Sequence, residues 1–559
     1  MMPTADASTV TCRPAAWEAR VRERLAQAAP QRMIERVWRR DASLWTDDPA
    51  AQELIRQRLG WLSILPVMAA HLSELRAMAQ EASAAGFTHA VLLGMGGSSL
   101  FADVCRGLFP PAARSLELSV LDSTDPTMIR AVAARAPLDR TLFVVSSKSG
   151  STIEVASLFD YFYAQVRAVR GDAAGEQFVV VTDAGTPLER QAAERRVRRT
   201  FVHGPGAGLE IGGRFSALTY FGLVPAALLG ADLSTLLQRA AAMEQACGPS
   251  SPWLENPAAV LGLALAEAAA EGRNKLTLLS APALEHFFPW IEQLVAESAG
   301  KAGQGLLPLT GEVSGQAYGA DRVFLILRCP GAEDPAVDRR AQALAEAGHP
   351  VIRLEWRDRY DVAGEAVRWC VATVLLGAAL RINPFDEPNV QESKDRTKAL
   401  LDRYLTAGGW PVESSVDRQG ERAGAVRELL AQVGPREYIA LLSYLPRTAE
   451  MDAAVEAFRQ RLAGLTRAAT SLGYGPRYLH SIGQLHKGGP PQAAFIFLTS
   501  DDPIDVPIPG RGYSFSVLKR AQALGDVQAL QERGRRVLRL HLGASPLETL
   551  RELAARLAP

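Results

Sequence analysis

One stretch narrows the possible folds more than any other: Phe143-Val-Val-Ser-Ser-Lys-Ser-Gly-Ser-Thr-Ile-Glu154. An apolar run of strand length breaks into hydroxyls and a glycine, then resumes in helical composition, which reads as strand, tight loop and helix start. Backbone N–H groups and the positive end of the helix dipole face outward at such a junction, and the hydroxyls of Ser147, Ser149, Ser151 and Thr152 add donors that can close around an anion. A phosphate is the natural guest. The spacing lacks the Gly-x-x-x-x-Gly-Lys-Ser/Thr run of a P-loop, so a nucleoside triphosphate is not expected. A serine-rich helix cap without a ligand would carry the same local sequence.

The pattern recurs along the chain. His89-Ala-Val-Leu-Leu-Gly-Met-Gly-Gly-Ser-Ser-Leu100 is a second buried-looking strand that ends in glycines and serines, where Gly94, Gly96 and Gly97 allow close backbone approach to a ligand. A dinucleotide fingerprint would need a third glycine at its own spacing and an acidic residue for the ribose, and neither is convincingly placed. Residues 116–121 and 178–181 supply further strands with helices between, which implies a parallel sheet covered on both faces. Ligands of such sheets sit beyond the carboxyl ends of the strands, where these loops fall. A second unit begins near Asn274-Lys-Leu-Thr-Leu-Leu-Ser280 and continues with strands at 323–327 and 351–354. Residues 410–424 are polar and Gly-rich, a plausible linker, and strands at 438–445, 493–499 and 537–540 follow. The expected fold is α/β: two doubly wound domains with parallel sheets flanked by helices (residues 61–240 and 241–425), preceded by a helical segment (1–60) and followed by a smaller C-terminal α/β portion (426–559).

A chain of 559 residues exceeds one core. Lys plus Arg equals Asp plus Glu at 61 each, so no bulk field recruits nucleic acid or an anionic membrane, and any anion site must be local. The five cysteines are scattered and never form a Cys-x-x-Cys pair, against a disulfide framework or zinc knuckle. With no signal-like N-terminus and no run of eighteen uninterrupted apolar residues, a cytoplasmic location is expected.

Three further places carry candidate chemistry. Arg214 follows two glycines and precedes an apolar helix, so its guanidinium is expected to project from a loop and clamp a phosphate or steady an oxyanion. Gln293 and Glu297 share a helix face at i,i+4, with Glu297 near a helix end beside Gly300 and Lys301. Lys394 falls in the first turns of a helix after a proline- and asparagine-rich loop, where a cation opposes the dipole and hints at function. In the C-terminal portion, His480-Ser-Ile-Gly-Gln-Leu-His-Lys-Gly-Gly489 suits an anion or proton-transfer site, or simply a loop packed on the main body.

Together these runs resemble the glucose-6-phosphate isomerase family, built on two sugar-isomerase (SIS) domains. The matching stretches are Gly94–Ser98, Ser147–Thr152, Gly212–Ser216, Gln293–Lys301 and Asn383–Lys394, in family order. The C-terminal portion resembles the isomerase half of transaldolase-isomerase fusions. The resemblance implies an enzyme interconverting glucose 6-phosphate and fructose 6-phosphate through an enediolate, without metal or nicotinamide cofactor. It assigns phosphate binding to Ser98, Ser147, Ser149 and Thr152, with Gly97, Lys148 and Glu387 beside them. It makes Glu297 the carboxylate that moves the proton, Arg214 the cation that stabilises the enediolate and Lys394 a participant in ring opening. Two departures stand out: Glu387 occupies a position where the family usually has glutamine, and the family's ring-opening histidine has no matching motif between Lys301 and Asn383, so ring opening falls either to His486 from the C-terminal portion or to Lys394 alone. A relative that also epimerises mannose 6-phosphate and a non-catalytic SIS-type sensor of sugar phosphates are the alternatives. The partner expected is a small sugar phosphate, with a homodimer plausible.

Overall fold

The computed structural model describes residues 9–557 except 113–114, 205–209, 313–317, 411–414 and 417–418. The expected linker at 410–424 therefore falls partly outside the described residues; within it, Val416 forms a parallel bridge with Leu540 and a helix runs Gln419–Ala431. Three sheets carry the fold. In chain order the strands are β1 (Val10–Arg13), β2 (His89–Gly94), β3 (Glu117–Leu121), β4 (Thr141–Ser146), β5 (Phe178–Asp183), β6 (Arg199–His203), β7 (Lys275–Ser280), β8 (Leu307–Leu309), β9 (Arg322–Arg328), β10 (Val351–Glu355), β11 (Tyr438–Ser443), β12 (Ala469–Tyr474), β13 (Ala493–Thr499) and β14 (Arg536–His541).

The first sheet runs β3-β2-β4-β5-β6 and is wholly parallel. Gly94 pairs with Ser146 across β2 and β4, so the glycine loop and the hydroxyl loop leave the sheet side by side at its carboxyl edge. The second sheet runs β1-β10-β9-β7-β8, parallel except for β1, which pairs antiparallel with β10 from Val10 opposite Leu354 to Arg13 opposite Val351. That strand lies in a stretch whose sequence reads as helical; an edge strand of four residues with one buried side chain leaves little periodic signal. The third sheet, β12-β11-β13-β14, is parallel.

Burial follows from this layering. One apolar cluster joins the N-terminal helices through Trp17 and Trp45 to one face of the first sheet at Leu92 and Leu142 and to the second unit at Leu276, Trp290 and Trp369. The opposite face of the first sheet packs Phe143, Phe159, Phe162 and Phe178, and this cluster continues into Leu400, Phe515 and Leu518. The third unit thus rests directly on the first. The Asp361–Ala379 helix is long and apolar enough to cross a membrane, yet 94% of its most apolar window is buried, as in a core helix.

His486, the sequence-based candidate for ring opening, lies in the core of the third unit. Its Nδ1 is 2.9 Å from the Tyr438 hydroxyl, its ring stacks on Tyr438 and meets Phe495 edge-on, and burial pushes its pKa down to about 3. The short Gly483–Gly488 helix turns that residue toward the sheet rather than toward the carboxyl-edge loops.

Two of these packing arrangements can be tested directly. A Cβ on Gly97 would lie 2.0 Å from Gly213 O, backbone against backbone, so Gly97→Ala should cost about 1–3 kcal/mol or more and lower the thermal midpoint; an unchanged midpoint would contradict the close approach. Unfolded, the His486 imidazole takes up a proton near 6.5, but folded only near 3. The unfolded chain binds more protons between those values, so this contribution to stability is complete above about 6.5 and is lost as pH falls toward 3. His486→Phe should flatten that part of the pH dependence of unfolding, and an unaltered slope would refute the assignment.

Candidate active site

The hydroxyl loop closes on itself as a strand-to-helix junction requires. Ser147 Oγ donates to Thr152 Oγ1 at 3.3 Å, Ser151 N and Oγ reach Ser149 Oγ, and Gly150 takes a φ of +63° that favours glycine. Thr152 precedes the Ile153–Arg170 helix in extended conformation without capping its N–H groups, which leaves the helix N-terminus available to an anion. The neighbouring loop joins it where Lys148 N donates to Ser98 Oγ at 3.3 Å. The Lys148 side chain turns elsewhere: Nζ pairs with Asp183 Oδ2 at 2.6 Å.

Arg214 is 2% exposed and saturated. Nε donates to Ser298 Oγ at 2.8 Å, Nη2 to the carbonyls of Pro384 and Asp386, and Nη1 to Glu387 Oε2 at 2.9 Å, with Glu297 Oε1 at 3.4 Å. Glu297, on the Phe288–Ala299 helix, accepts from Gln293 Nε2 at 3.0 Å, the i,i+4 pairing expected from sequence. Burial raises its pKa, Arg214 opposes this, and the Glu387 charge adds to the rise. Burial acts on Glu387 in the same sense, but its direct contact with Arg214 wins and holds it below the usual carboxylate range. Lys301 Nζ reaches the carbonyls of Asn383 and Asp386 and the Asp386 carboxylate; burial and then the Arg214 charge push its pKa down to about 8.

The third unit supplies a second histidine from the His480–Gly489 run, one that the sequence did not single out over His486. His480 Nε2 lies 2.8 Å from Glu154 Oε1, and its carbonyl accepts from Gln293 Nε2 at 2.9 Å. Burial would raise the Glu154 pKa, but His480 and, further off, Lys394 more than offset it and hold the carboxyl below its ordinary value. A Cβ on Gly96 would lie 2.7 Å from His480 O and 3.1 Å from Gln293 Nε2, so glycine loop, histidine turn and Glu297 helix converge there. Thr152, Glu154, Lys394, His480 and Gln522 line one cavity of about 510 Å³. The turn itself is held by Arg477, whose guanidinium spans Asp103 at 3.1 Å and Asp122 at 2.9 Å on the first unit, and by Ser481, which donates to Glu292 on the second.

The expected residues thus fall into three groups. In the first, Gly97, Ser98, Ser147, Ser149 and Thr152 lie on two touching loops at the carboxyl edge of the first sheet, Arg214 is paired with Glu297 and Glu387, and Lys394 lines the same cavity as Thr152. Lys148 sits in the hydroxyl loop with its amine on Asp183, and His486 is in the core. His480 was findable in principle, because it follows β12 and the carboxyl-edge rule points to the residues just after a strand. Ala469-Thr-Ser-Leu-Gly-Tyr474 has too few apolar residues to announce that strand.

A family model described as phosphoglucose isomerase matches residues 67–306, which hold the glycine and hydroxyl loops, Arg214 and Glu297. A glucose-6-phosphate isomerase of Rubrobacter xylanophilus is 30% identical over 388 residues, 61% of this chain and 88% of that protein. One from Synechococcus elongatus is 32% identical over 289 residues, and there the match covers 50% of this chain and 51% of the relative. Among solved structures, a hypothetical protein of Thermus thermophilus is similar in fold, with a TM-score of 0.59 and 24% identity over 70% of this chain and 99% of that one. A glucose-6-phosphate isomerase of Chlamydia trachomatis gives a TM-score of 0.50 at 19% identity, over 66% and 78% of the two chains. By its sequence, and in keeping with its fold, the chain belongs to the phosphoglucose isomerase family.

Proposed function

We propose that the chain is a glucose-6-phosphate isomerase that interconverts glucose 6-phosphate and fructose 6-phosphate, with the sugar lying between the hydroxyl loop and the Arg214–Glu297 pair. The observation that carries this reading is the buried carboxylate of Glu297 beside a buried guanidinium, a few residues in space from an uncapped, hydroxyl-lined helix N-terminus. A helix end with its N–H groups and hydroxyls suits the terminal phosphate, and charge-assisted bonds there are worth about 1.5–3 kcal/mol each. Phosphate binding then fixes how far along the sugar C1 and C2 fall.

The chemistry asked of the other end is modest. An aldose becomes a ketose when the hydrogen on C2 leaves as a proton, its electron pair forms the C1–C2 double bond and the carbonyl oxygen takes up negative charge. Moving the O2 proton to O1 turns the carbonyl to C2, and returning the carbon-bound proton to C1 completes the exchange. One base can serve both carbons, and Glu297, its pKa raised by burial, is a stronger base than an exposed carboxylate. Arg214 offers fixed positive charge to the developing oxyanion in a site shielded from water. Its Nη1 already lies between the Glu387 and Glu297 carboxylates, so part of that charge is engaged in the resting state. The sugar must first be linear, and His480, with Glu154 and Lys394 beside the same cavity, is our choice for proton transfer at the ring oxygen in place of His486.

A sugar-phosphate sensor would need the hydroxyl loop but no buried base, which weighs for an enzyme. In a coupled assay with fructose 6-phosphate and no added metal, Glu297→Gln should lose about a hundred- to ten-thousand-fold in turnover while sugar-phosphate binding by calorimetry persists; an undiminished rate would rule this base out. His480→Ala should lose about a hundredfold or more in kcat. Full activity in that variant would remove the histidine from the reaction.

A further inference from the structure

Gln522 lies on the Phe515–Glu532 helix of the third unit, 1% exposed, at the wall of the cavity that Glu154 and His480 also line. Its Nε2 donates to Glu154 Oε1 at 2.7 Å and its Oε1 accepts from Thr124 Oγ1 at 2.8 Å. A carboxylate can only accept, so the amide nitrogen must face Glu154; the carbonyl then faces Thr124, whose hydroxyl can donate. The same Glu154 oxygen faces His480 Nε2 at 2.8 Å. With the carboxylate accepting from both, Nε2 carries the hydrogen and Nδ1 is left as the nitrogen that exchanges a proton.

We infer that Gln522 is a positioning residue for ring opening: through the relay Thr124 to Gln522 to Glu154 to His480 it keeps Glu154 a charged acceptor and fixes the tautomer and direction of the His480 ring. The inference rests on the isomerase reading and on His480 as the ring-opening group. It makes the third unit responsible both for the histidine and for the side chain that orients the histidine's partner. The first unit supplies Thr124 and Glu154, so the relay crosses the junction three times. The charged or titratable groups facing Glu154 are His480 from the 477–481 turn, Lys394 from the Val390–Ala407 helix and, more distantly, the Tyr444 phenol beyond β11. Gln522 itself is neutral, which suits a residue that must orient a carboxylate without neutralising it.

The test uses the full-length protein with Gln522→Leu, the near-isosteric Gln522→Glu, His480→Ala and the Gln522→Leu/His480→Ala double variant. Thermal unfolding serves as the check on folding. Gln522→Leu should lower kcat by about ten- to a hundredfold, the worth of one hydrogen bond to a charged group, with KM little changed. Gln522→Glu sets a second carboxyl against Glu154, so the two share a proton and the acid limb of the kcat profile should move to higher pH. In the His480→Ala background, Gln522→Leu should add no further loss, because a residue that acts through His480 has nothing left to act on. Losses that multiply, or a wild-type kcat and pH profile in both Gln522 variants, would overturn the inference while leaving the isomerase intact. Full activity in His480→Ala would overturn the ring-opening assignment and this inference with it.

Discussion

A buried guanidinium cannot be left short of partners, and Arg214 sets the terms for much of this molecule. Removing the charge from water costs several kcal/mol, offset only when the donors of the fork are satisfied in good geometry. The partners come from far along the chain: Ser298 and Glu297 on one helix, Pro384, Asp386 and Glu387 on one loop. Lys301 holds that same loop by the carbonyls of Asn383 and Asp386. Two buried cations thus shape the loop that precedes the Lys394 helix, so the residue that would meet the enediolate also fixes the approach to the ring. The close backbone approach of Gly97 to Gly213 keeps the glycine loop beside this arrangement.

The third unit is tied in by polar contacts as much as by apolar ones. Asp526, fully buried, accepts from Ser393, Tyr478 and Lys487, and so connects the residue before Lys394 to the turn that carries His480. Arg477 fastens the same turn to Asp103 and Asp122, and Lys519 reaches Asp125 on the first unit. Buried networks of this kind tolerate few alternative arrangements, because breaking one member strands the rest. The cleft is in this sense a joint between three sheet edges.

The sequence made the outer form of this site readable. Hydroxyl and glycine loops after long apolar runs announce a parallel sheet's carboxyl edge, and those runs are β2, β4 and β5 almost to the residue. The pairing of Gln293 with Glu297 followed from helix periodicity alone. Strands that lack an apolar run escaped: β1 at an edge, β6 with Arg199 and Thr200 at its start, β8 with three residues, and β12 with a glycine. Without β12, His480 and His486 cannot be told apart, because only the strand shows that His480 falls at a carboxyl edge. Glu154 and Gln522 gave no signal either, because their meaning lies in contacts made 326 and 368 residues apart. Glu387 was visible as a departure, but its effect depends on Arg214 lying between two carboxylates, which only coordinates supply.

The antiparallel strand Val10–Arg13 has a consequence beyond the site. It occupies the outer rim of the second sheet, where β10 would otherwise present a row of open backbone donors and acceptors. A chain stripped of its first dozen or so residues would keep every group described in the cleft yet carry a sticky flank, ready to recruit strands from its neighbours. Self-association, rather than lost chemistry, is the hazard that this short ribbon guards against.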